Sequence, residues 1–372
     1  MRTIGSGDVG DDVADVQQRL LVAGENIGTV ELGGRFGPST EAAVRAFQQR
    51  RGLLVDGVVG PETWGELVEA GFALGDRTLY LRIPHLRGDD VRALQRRLGA
   101  LGFDTGREDG IFGPRCDRAV RELQRNVGRE ADGIVGPETL LALERLRPQL
   151  HAVSGSMVRE AEAVSRFEAS LAGARIAIDP GHGPDDPGRV ATGGLTEAEA
   201  GMAIGRTLAE ELLRRGAIPT LLRDPDATPT PSERAQHAND IGAEACVSIH
   251  LNGHDDPAAE GATCFYFGTQ ETSSPAGQRL AELIQDELTT RVGLMDGRIH
   301  PMAFTVLRET QMPAVQVEPC FITNEKEERR LAEASFRCDI AAAIAEGLER
   351  FFNPRGQARL ALDGLGLKGR QA

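Results

Sequence analysis

Three side chains that could bind a metal or move a proton each follow a short apolar run: His182 after 176–178 and a Gly/Pro-rich turn, His250 after 245–249, and Glu318 after 314–317. Near-continuous apolar runs of this kind are typical of strands that are covered on both faces of a parallel sheet. Binding sites in open α/β sheets form outside the carboxyl ends of the strands. We therefore expect the three side chains to meet at one edge of a sheet.

A fourth candidate, Glu197, lies at the start of a predicted helix. Thr196 is the predicted N-cap, and Glu199 closes a capping box with it, which leaves Glu197 without a local structural task. Two imidazoles and one carboxylate, with a fourth tetrahedral position open to water, are the ligand set of a hydrolytic zinc site. The pattern therefore predicts a zinc site formed by Glu197 and the two strand-end histidines, with the strand-end glutamate as a spare carboxylate.

Strands and helices alternate over the second half of the chain. The predicted strands lie near 175–179, 218–223, 245–249, 262–267 and 314–318. The predicted helices lie near 197–215, 231–241, 275–291 and 336–352. Alternation of this kind indicates an α/β fold with a mostly parallel sheet and helices on both of its faces.

Four motifs in this half resemble, in their order and separations, those of the zinc N-acetylmuramoyl-L-alanine amidases of the amidase-3 family: IAIDPGHG, GLTEAEAGMAIG, VSIHLN and VQVEPCFITN. The resemblance covers residues 174–352. It implies that His182, Glu197 and His250 hold Zn²⁺ and that Glu318 is the catalytic carboxylate. It also implies zinc-assisted hydrolysis of the amide bond between the lactyl group of N-acetylmuramic acid and L-alanine of the stem peptide.

The sequence departs from the family pattern beside two of these residues. Pro184 stands where a second glycine commonly follows the histidine motif. Pro319 and Cys320 follow Glu318 in place of the usual small residue and glycine. Because proline fixes one backbone torsion, we expect catalytic loops that are stiffer than is usual in the family.

The first half of the chain contains a tandem repeat. Three blocks recur: 10–20 as 88–98, 36–38 as 112–114, and 56–63 as 132–139. Each copy is predicted to form three short helices, because apolar residues recur at helical spacing and proline stands in a predicted first turn. The copies, residues 7–70 and 85–147, resemble type-1 peptidoglycan-binding domains. The alternative is a small helical scaffold that binds nothing.

Length and charge limit the possible partners. The 372 residues suggest two or three domains, and a formal net charge of −14 argues against nucleic-acid binding. The N-terminus lacks an apolar leader and no later run is long enough to span a membrane, so we expect a cytoplasmic chain without a transmembrane segment, unless another export or release route takes it to the wall. Residues 148–173 are predicted to be a linker and 353–372 a flexible tail.

The domain arrangement leaves two further functions open. Two binding repeats, an amidase-like domain and no leader resemble a group of actinobacterial proteins. The mycobacterial members replace several metal and catalytic positions and regulate peptidoglycan precursor synthesis in the cytoplasm. The other alternative is a phage endolysin, which is also made without a signal peptide.

The expected partners are peptidoglycan, a muropeptide or a lipid-linked precursor and, for a regulator, a cell-wall synthesis enzyme. His182, His250 and Glu318 all stand as an enzyme requires. We therefore interpret the chain as a zinc amidase.

Overall fold

The computed structural model describes residues 2–28, 31–146, 170–270 and 272–353. They form two compact units, one that contains the repeats and one that contains the sheet. The greater part of the predicted linker (148–173) and of the predicted tail (353–372) lies outside the described residues. No helix in the described ranges is long and apolar enough to cross a membrane.

Each copy of the repeat contributes three helices to the first unit. They are α1 Asp11–Val22, α2 Pro38–Arg51, α3 Pro61–Glu69, α4 Asp89–Ala100, α5 Pro114–Asn126 and α6 Pro137–Arg145. Four of these helices begin with proline, which suits the first turn because its missing N–H has no partner there. Val16 and Leu20 are fully buried in the first copy, as Leu94 and Leu98 are in the second. The prediction of two three-helix repeats is confirmed.

Each copy also contains a smaller repeat that was not predicted: a buried helical glutamine bonded to a glycine turn further along the chain. The glutamine Oε1 accepts the N–H of a glycine with positive φ in all four cases: Gln17 from Gly34 (3.0 Å), Gln48 from Gly57 (2.9 Å), Gln95 from Gly110 (2.8 Å) and Gln124 from Gly133 (2.9 Å). The Nε2 of each glutamine donates to a main-chain carbonyl of the same turn. The twofold sequence repeat is therefore a fourfold repeat of helix and turn.

The second unit is built around a six-stranded sheet with the order β2-β1-β3-β6-β4-β5. Its strands are β1 Arg175–Pro180, β2 Ile218–Leu221, β3 Ala245–Ile249, β4 Ala262–Phe267, β5 Asp296–Met302 and β6 Ala314–Glu318. The first four strands in that order are parallel to one another, and β4 pairs antiparallel with β6. The prediction of a mostly parallel sheet is confirmed.

Helices cover both faces of the sheet, as predicted. They are α7 Glu197–Arg214, α8 Pro231–Asp240, α9 Pro275–Thr290, α10 Thr305–Glu309, α11 Glu325–Ala332 and α12 Ala334–Phe352. Successive side chains of a strand point to opposite faces. Ile176 and Ile178 accordingly belong to the larger core with α7, α9 and α12, whereas Ala177 belongs to the smaller core with α8 and α10.

Three short elements were not predicted: β5, α10 and α11. The sequence of β5, DGRIHPM, lacks an apolar alternation because the strand lies at the edge of the sheet and is largely exposed. Pro301 is tolerated there because one side of an edge strand forms no ladder hydrogen bonds. The helices α10 and α11, with five and eight residues, are too short to show helical periodicity clearly.

We expect Gln48→Ala to loosen the first repeat, because it removes the partner of the buried Gly57 N–H. Each unsatisfied buried group costs about 1–3 kcal/mol, so the free energy of opening of the amides in 53–59 should fall by about 2–4 kcal/mol. Hydrogen–deuterium exchange of the full chain measures this opening.

The matched control is Gln49→Ala, because Gln49 is the exposed neighbour on the same helix. We expect it to change the opening free energy by less than about 0.5 kcal/mol. Equal exchange in the two variants would show that the buried glutamine does not hold the turn.

Candidate metal centre

Three predicted site residues lie at the carboxyl ends of adjacent parallel strands. His182 follows β1, His250 follows β3, and Glu318 is the last residue of β6. In the register of the sheet, Ile249 of β3 pairs with Pro180 of β1. The His250 N–H also donates to the Val317 carbonyl of β6 (3.0 Å). The sheet therefore brings the three strand ends to one edge, as the apolar runs predict.

Glu197 reaches the same edge from the first turn of α7. Its Oε1 lies 2.9 Å from His250 Nδ1 and 3.3 Å from His182 Nε2. One potential ligand atom from each of these three residues lies within 4.8 Å of the others. The capping box between Thr196 and Glu199 forms in both directions, which leaves Glu197 free to face the two imidazoles.

The chemistry and spacing of these donors fit a zinc ion. Zinc is bound by imidazole nitrogen and carboxylate oxygen at about 2.0–2.2 Å, which in a tetrahedral site separates two ligand atoms by about 3.4 Å. The separations from Glu197 Oε1 are close to that value. Three protein donors also match the catalytic type of site, which keeps a fourth position for water or substrate.

Electrostatics keep the carboxylate charged. Burial raises the pKa of Glu197, but the hydrogen bonds from His182 and His250 outweigh burial and hold that pKa well below its usual value. Burial lowers the pKa of His182, but the nearby carboxylates of Glu197 and Asp186 outweigh it, and the pKa is raised. A metal ion at this position therefore competes with protons for His182, and its binding weakens as pH falls.

Asp186 is a functional residue that the sequence reasoning missed. Its Oδ2 lies 2.8 Å from His182 Nδ1, on the side of the ring away from Glu197. A carboxylate on the second ring nitrogen fixes the tautomer and orientation of a metal-binding imidazole. The sequence feature that could have revealed it is the spacing of Asp186, which follows His182 by four residues in a Gly/Pro-rich turn.

Two glycines give the ligands their space. A Cβ built on Gly181 would lie 2.3 Å from His250 Cε1 and 2.5 Å from its Nε2. A Cβ on Gly188, which has a φ of +68°, would lie 2.7 Å from His182 Cδ2 and 2.8 Å from Glu197 Oε2. Both rings are therefore held against main chain that bears no side chain.

A buried charged network supports the end of β1. Arg234 Nη1 donates to Asp179 Oδ1 (2.9 Å), and Ser248 Oγ donates to the other oxygen (2.6 Å). Arg223 Nε donates to the Pro180 carbonyl (2.8 Å). Asp179 is fully buried, so its charge needs these partners. The network fixes the main chain immediately before His182.

Glu318 does not belong to the group of potential ligands. Gln316 Nε2 donates to its Oε1 (2.9 Å). Burial raises the pKa of Glu318, and the nearby His250 opposes that effect only in part. An α/β sheet that brings a His-Glu-His cluster and a further carboxylate of raised pKa to one edge is suited to metal-assisted hydrolysis.

Known proteins share this architecture. The family model of N-acetylmuramoyl-L-alanine amidases called amidase-3 matches residues 176–350, and that of a putative peptidoglycan binding domain matches 9–67 and 87–143. The chain is 40% identical over 343 residues to the N-acetylmuramoyl-L-alanine amidase CwlM of Mycobacterium tuberculosis, covering 91% of this chain and 84% of that protein. The chain therefore belongs to the amidase-3 family of N-acetylmuramoyl-L-alanine amidases.

Two further relatives match about half of this chain. The amidase LytC of Bacillus subtilis is 34% identical over 182 residues, which cover 49% of this chain and 36% of LytC. The structure of the amidase AmiC2 of Nostoc punctiforme is 31% identical, with a TM-score of 0.44, and covers 48% of this chain and 96% of that chain.

We expect one zinc ion per chain, and its loss in a His182→Ala, His250→Ala double variant, because that variant keeps only one of the three donors. Gly181→Ala should lower zinc affinity by about 10–100-fold, the range seen when the support of a ligand is disturbed, because the added Cβ would displace the His250 ring. Competition with a chromophoric chelator measures both effects, and elemental analysis gives the stoichiometry.

The control for the glycine variant is Gly136→Ala, because a Cβ at Gly136 meets no atom within 4 Å. Zinc retained undiminished by the double histidine variant would overturn the ligand assignment. Equal affinity in the two glycine variants would show that the His250 ring does not depend on Gly181.

Proposed function

We propose that the protein is a zinc-dependent hydrolase that cleaves the amide bond between N-acetylmuramic acid and L-alanine in peptidoglycan. The observation that carries this proposal is the grouping of ligand atoms from His182, Glu197 and His250 at the sheet edge where Glu318 ends β6. Membership of the amidase-3 family supports the choice of bond.

The protein's part in metal chemistry is to hold the donors in place. His182, Glu197 and His250 would bind the ion. When bound, Zn²⁺ supplies Lewis-acid chemistry that lowers the pKa of water and polarises a carbonyl oxygen. Asp186 fixes the His182 ring, and the Leu251 N–H donates to Glu197 Oε1 (3.1 Å), so neither donor has to reorient before the reaction.

Glu318 is the proposed general base and acid. Burial raises its pKa, which suits it to take a proton from water and pass that proton to the leaving amine. The hydrogen bond from Gln316 fixes the orientation of Oε1. Within the described residues Oε2 accepts no hydrogen bond, and it is the oxygen that would take the proton.

The two repeats supply the second proposed activity, which is binding of peptidoglycan. Their match to a putative peptidoglycan binding domain supports this role. Within the described residues the metal-ligand cluster of the sheet unit has no counterpart in the repeats, so they would bind without metal. Two linked binding modules raise the overall affinity for a polymer that repeats the same chemical unit.

We expect Glu318→Gln to abolish release of stem peptides while zinc content and fold stay intact. Glutamine keeps the shape of the side chain but cannot accept the proton, and loss of a general base lowers the rate by about 10²–10⁴-fold. Chromatography of products from muropeptides and intact wall measures the rate. Glu210→Gln, at an exposed position of α7, is the control.

If the wild-type chain with zinc bound hydrolyses neither muropeptides, lipid-linked precursor nor intact wall, the enzyme proposal fails. The candidate metal centre would then act as a binding site, and the regulator that the domain arrangement resembles would become the leading hypothesis.

For the repeats, we expect the full chain to sediment with insoluble peptidoglycan in the presence of a chelator. A Gln48→Ala, Gln124→Ala double variant should lose this retention, because it loosens one turn in each copy. The Gln49→Ala variant should keep it. Absence of sedimentation of the wild-type chain would favour a scaffold that binds nothing.

A further inference from the structure

Arg189 is an exposed cation whose main chain is bonded to the candidate metal centre. It lies in the loop between β1 and α7. Its N–H donates to Glu197 Oε2 (3.1 Å), and its carbonyl accepts the Glu197 N–H (2.9 Å). The backbone of Arg189 is therefore fixed directly to one of the three proposed ligands.

The Arg189 side chain lies across the loop that carries another proposed ligand. A Cβ built on Gly253, three residues after His250, would lie 2.2 Å from Arg189 Cδ and 3.0 Å from its Cζ. The Arg189 side chain therefore passes close to the Gly253 Cα, and a side chain at position 253 would displace it. This contact places the guanidinium beside the loop that follows His250.

The guanidinium has no acidic partner in the described part of the chain. The buried Arg234, in contrast, is paired with Asp179. The positive charge of Arg189 nevertheless acts across the site, because it is one of the charges that lower the pKa of Glu318 against the larger effect of burial. An exposed, oriented guanidinium of this kind is suited to bind a carboxylate through two parallel hydrogen bonds.

The chemistry of the proposed substrate shows on which side such a carboxylate would lie. The carboxyl group of muramic acid is consumed in the scissile amide. Free carboxylates of a muropeptide therefore lie on the peptide side of that bond. We propose that Arg189 binds a peptide-side carboxylate and thereby selects acidic stem peptides over amidated ones. This inference rests on the proposed function.

The test compares two muropeptides that differ only in whether the stem-peptide carboxylates are free or amidated. For the wild-type chain we expect kcat/KM to favour the acidic form by about 10–100-fold, the range that hydrogen bonding to a charged group typically supplies. In Arg189→Gln this ratio should fall close to one, mainly through a higher KM for the acidic form. Arg189→Lys should give an intermediate ratio, because lysine keeps the charge but not the fork of donors.

Two further variants separate the effect of the position of the Arg189 guanidinium from the effect of positive charge in general. Gly253→Ala keeps the arginine but displaces its side chain, so it should also lower the ratio. Arg214→Gln is the control, because Arg214 is exposed near the end of α7 and pairs with Glu211 there. It should keep the wild-type ratio. Zinc content and circular dichroism establish that each variant is folded and loaded.

A binding measurement makes the test independent of turnover. Calorimetric titration of the Glu318→Gln chain with each muropeptide should show tighter binding of the acidic form, and adding Arg189→Gln should remove the difference. An equal ratio with and without Arg189, or an equal loss on both muropeptides, would overturn the inference. If the wild type hydrolyses neither form, the proposed function fails, and the titration still decides whether Arg189 recognises the carboxylate.

Discussion

The site depends on the buried carboxylate of Glu197. Its side chain accepts hydrogen bonds from His182, His250 and the main-chain N–H groups of Arg189 and Leu251. A buried charge without partners is strongly unfavourable, so Glu197 needs the two main-chain N–H groups together with either the imidazole N–H groups or a cation bound between them. The four residues come from the loops after β1 and β3. One side chain at the start of α7 therefore ties both loops to each other and fixes the relative positions of the imidazoles.

The rest of the sheet makes that arrangement rigid. Parallel strands end at the same edge, but they do not by themselves fix the angle at which a turn leaves the edge. Asp179, with Arg234 and Ser248, fixes the last residues of β1, and Arg223 binds the carbonyl of Pro180. A site built on supported strand ends holds its donors more closely than one built on free loops. The buried arginines therefore act on the site without touching its candidate ligands.

The sequence predicts the parts of this unit that depend on short-range patterns. Apolar runs such as 245–249 locate the buried strands. The spacing of Thr196 and Glu199 predicts a capping box, which marks the start of α7 and leaves the Glu197 side chain available for the site. The edge strand β5 is not predicted, because its side chains are largely exposed and show no alternation of apolar and polar residues. The roles of Asp186 and Gly181 are not predicted for another reason. Each role depends on a short distance to an imidazole ring, that of His182 or of His250, and no local sequence pattern encodes such a distance.

In the repeats, too, the sequence predicts the blocks that recur but not the contacts between distant residues. Their tandem duplication is visible because whole blocks of sequence recur. The finer unit, a helical glutamine that binds a glycine turn, has spacings of 17, 9, 15 and 9 residues between its two members. Variable spacing hides a repeat from inspection of the sequence. It does not weaken the repeat in the structure, since each glutamine meets a turn of similar hydrogen-bonding geometry.

Pro184, which departs from the family pattern, has a local physical explanation. Gly183 and Asp186 exchange main-chain hydrogen bonds (2.9 and 3.1 Å) and close a turn with Pro184 and Asp185 at its centre. Proline is favoured at the first central position because its φ is already set. The same turn carries the Asp186 carboxylate that lies 2.8 Å from His182 Nδ1. A proline here reduces the conformations available to the loop in favour of the one that orients the imidazole, so a stiff loop at this position favours metal binding rather than opposing it.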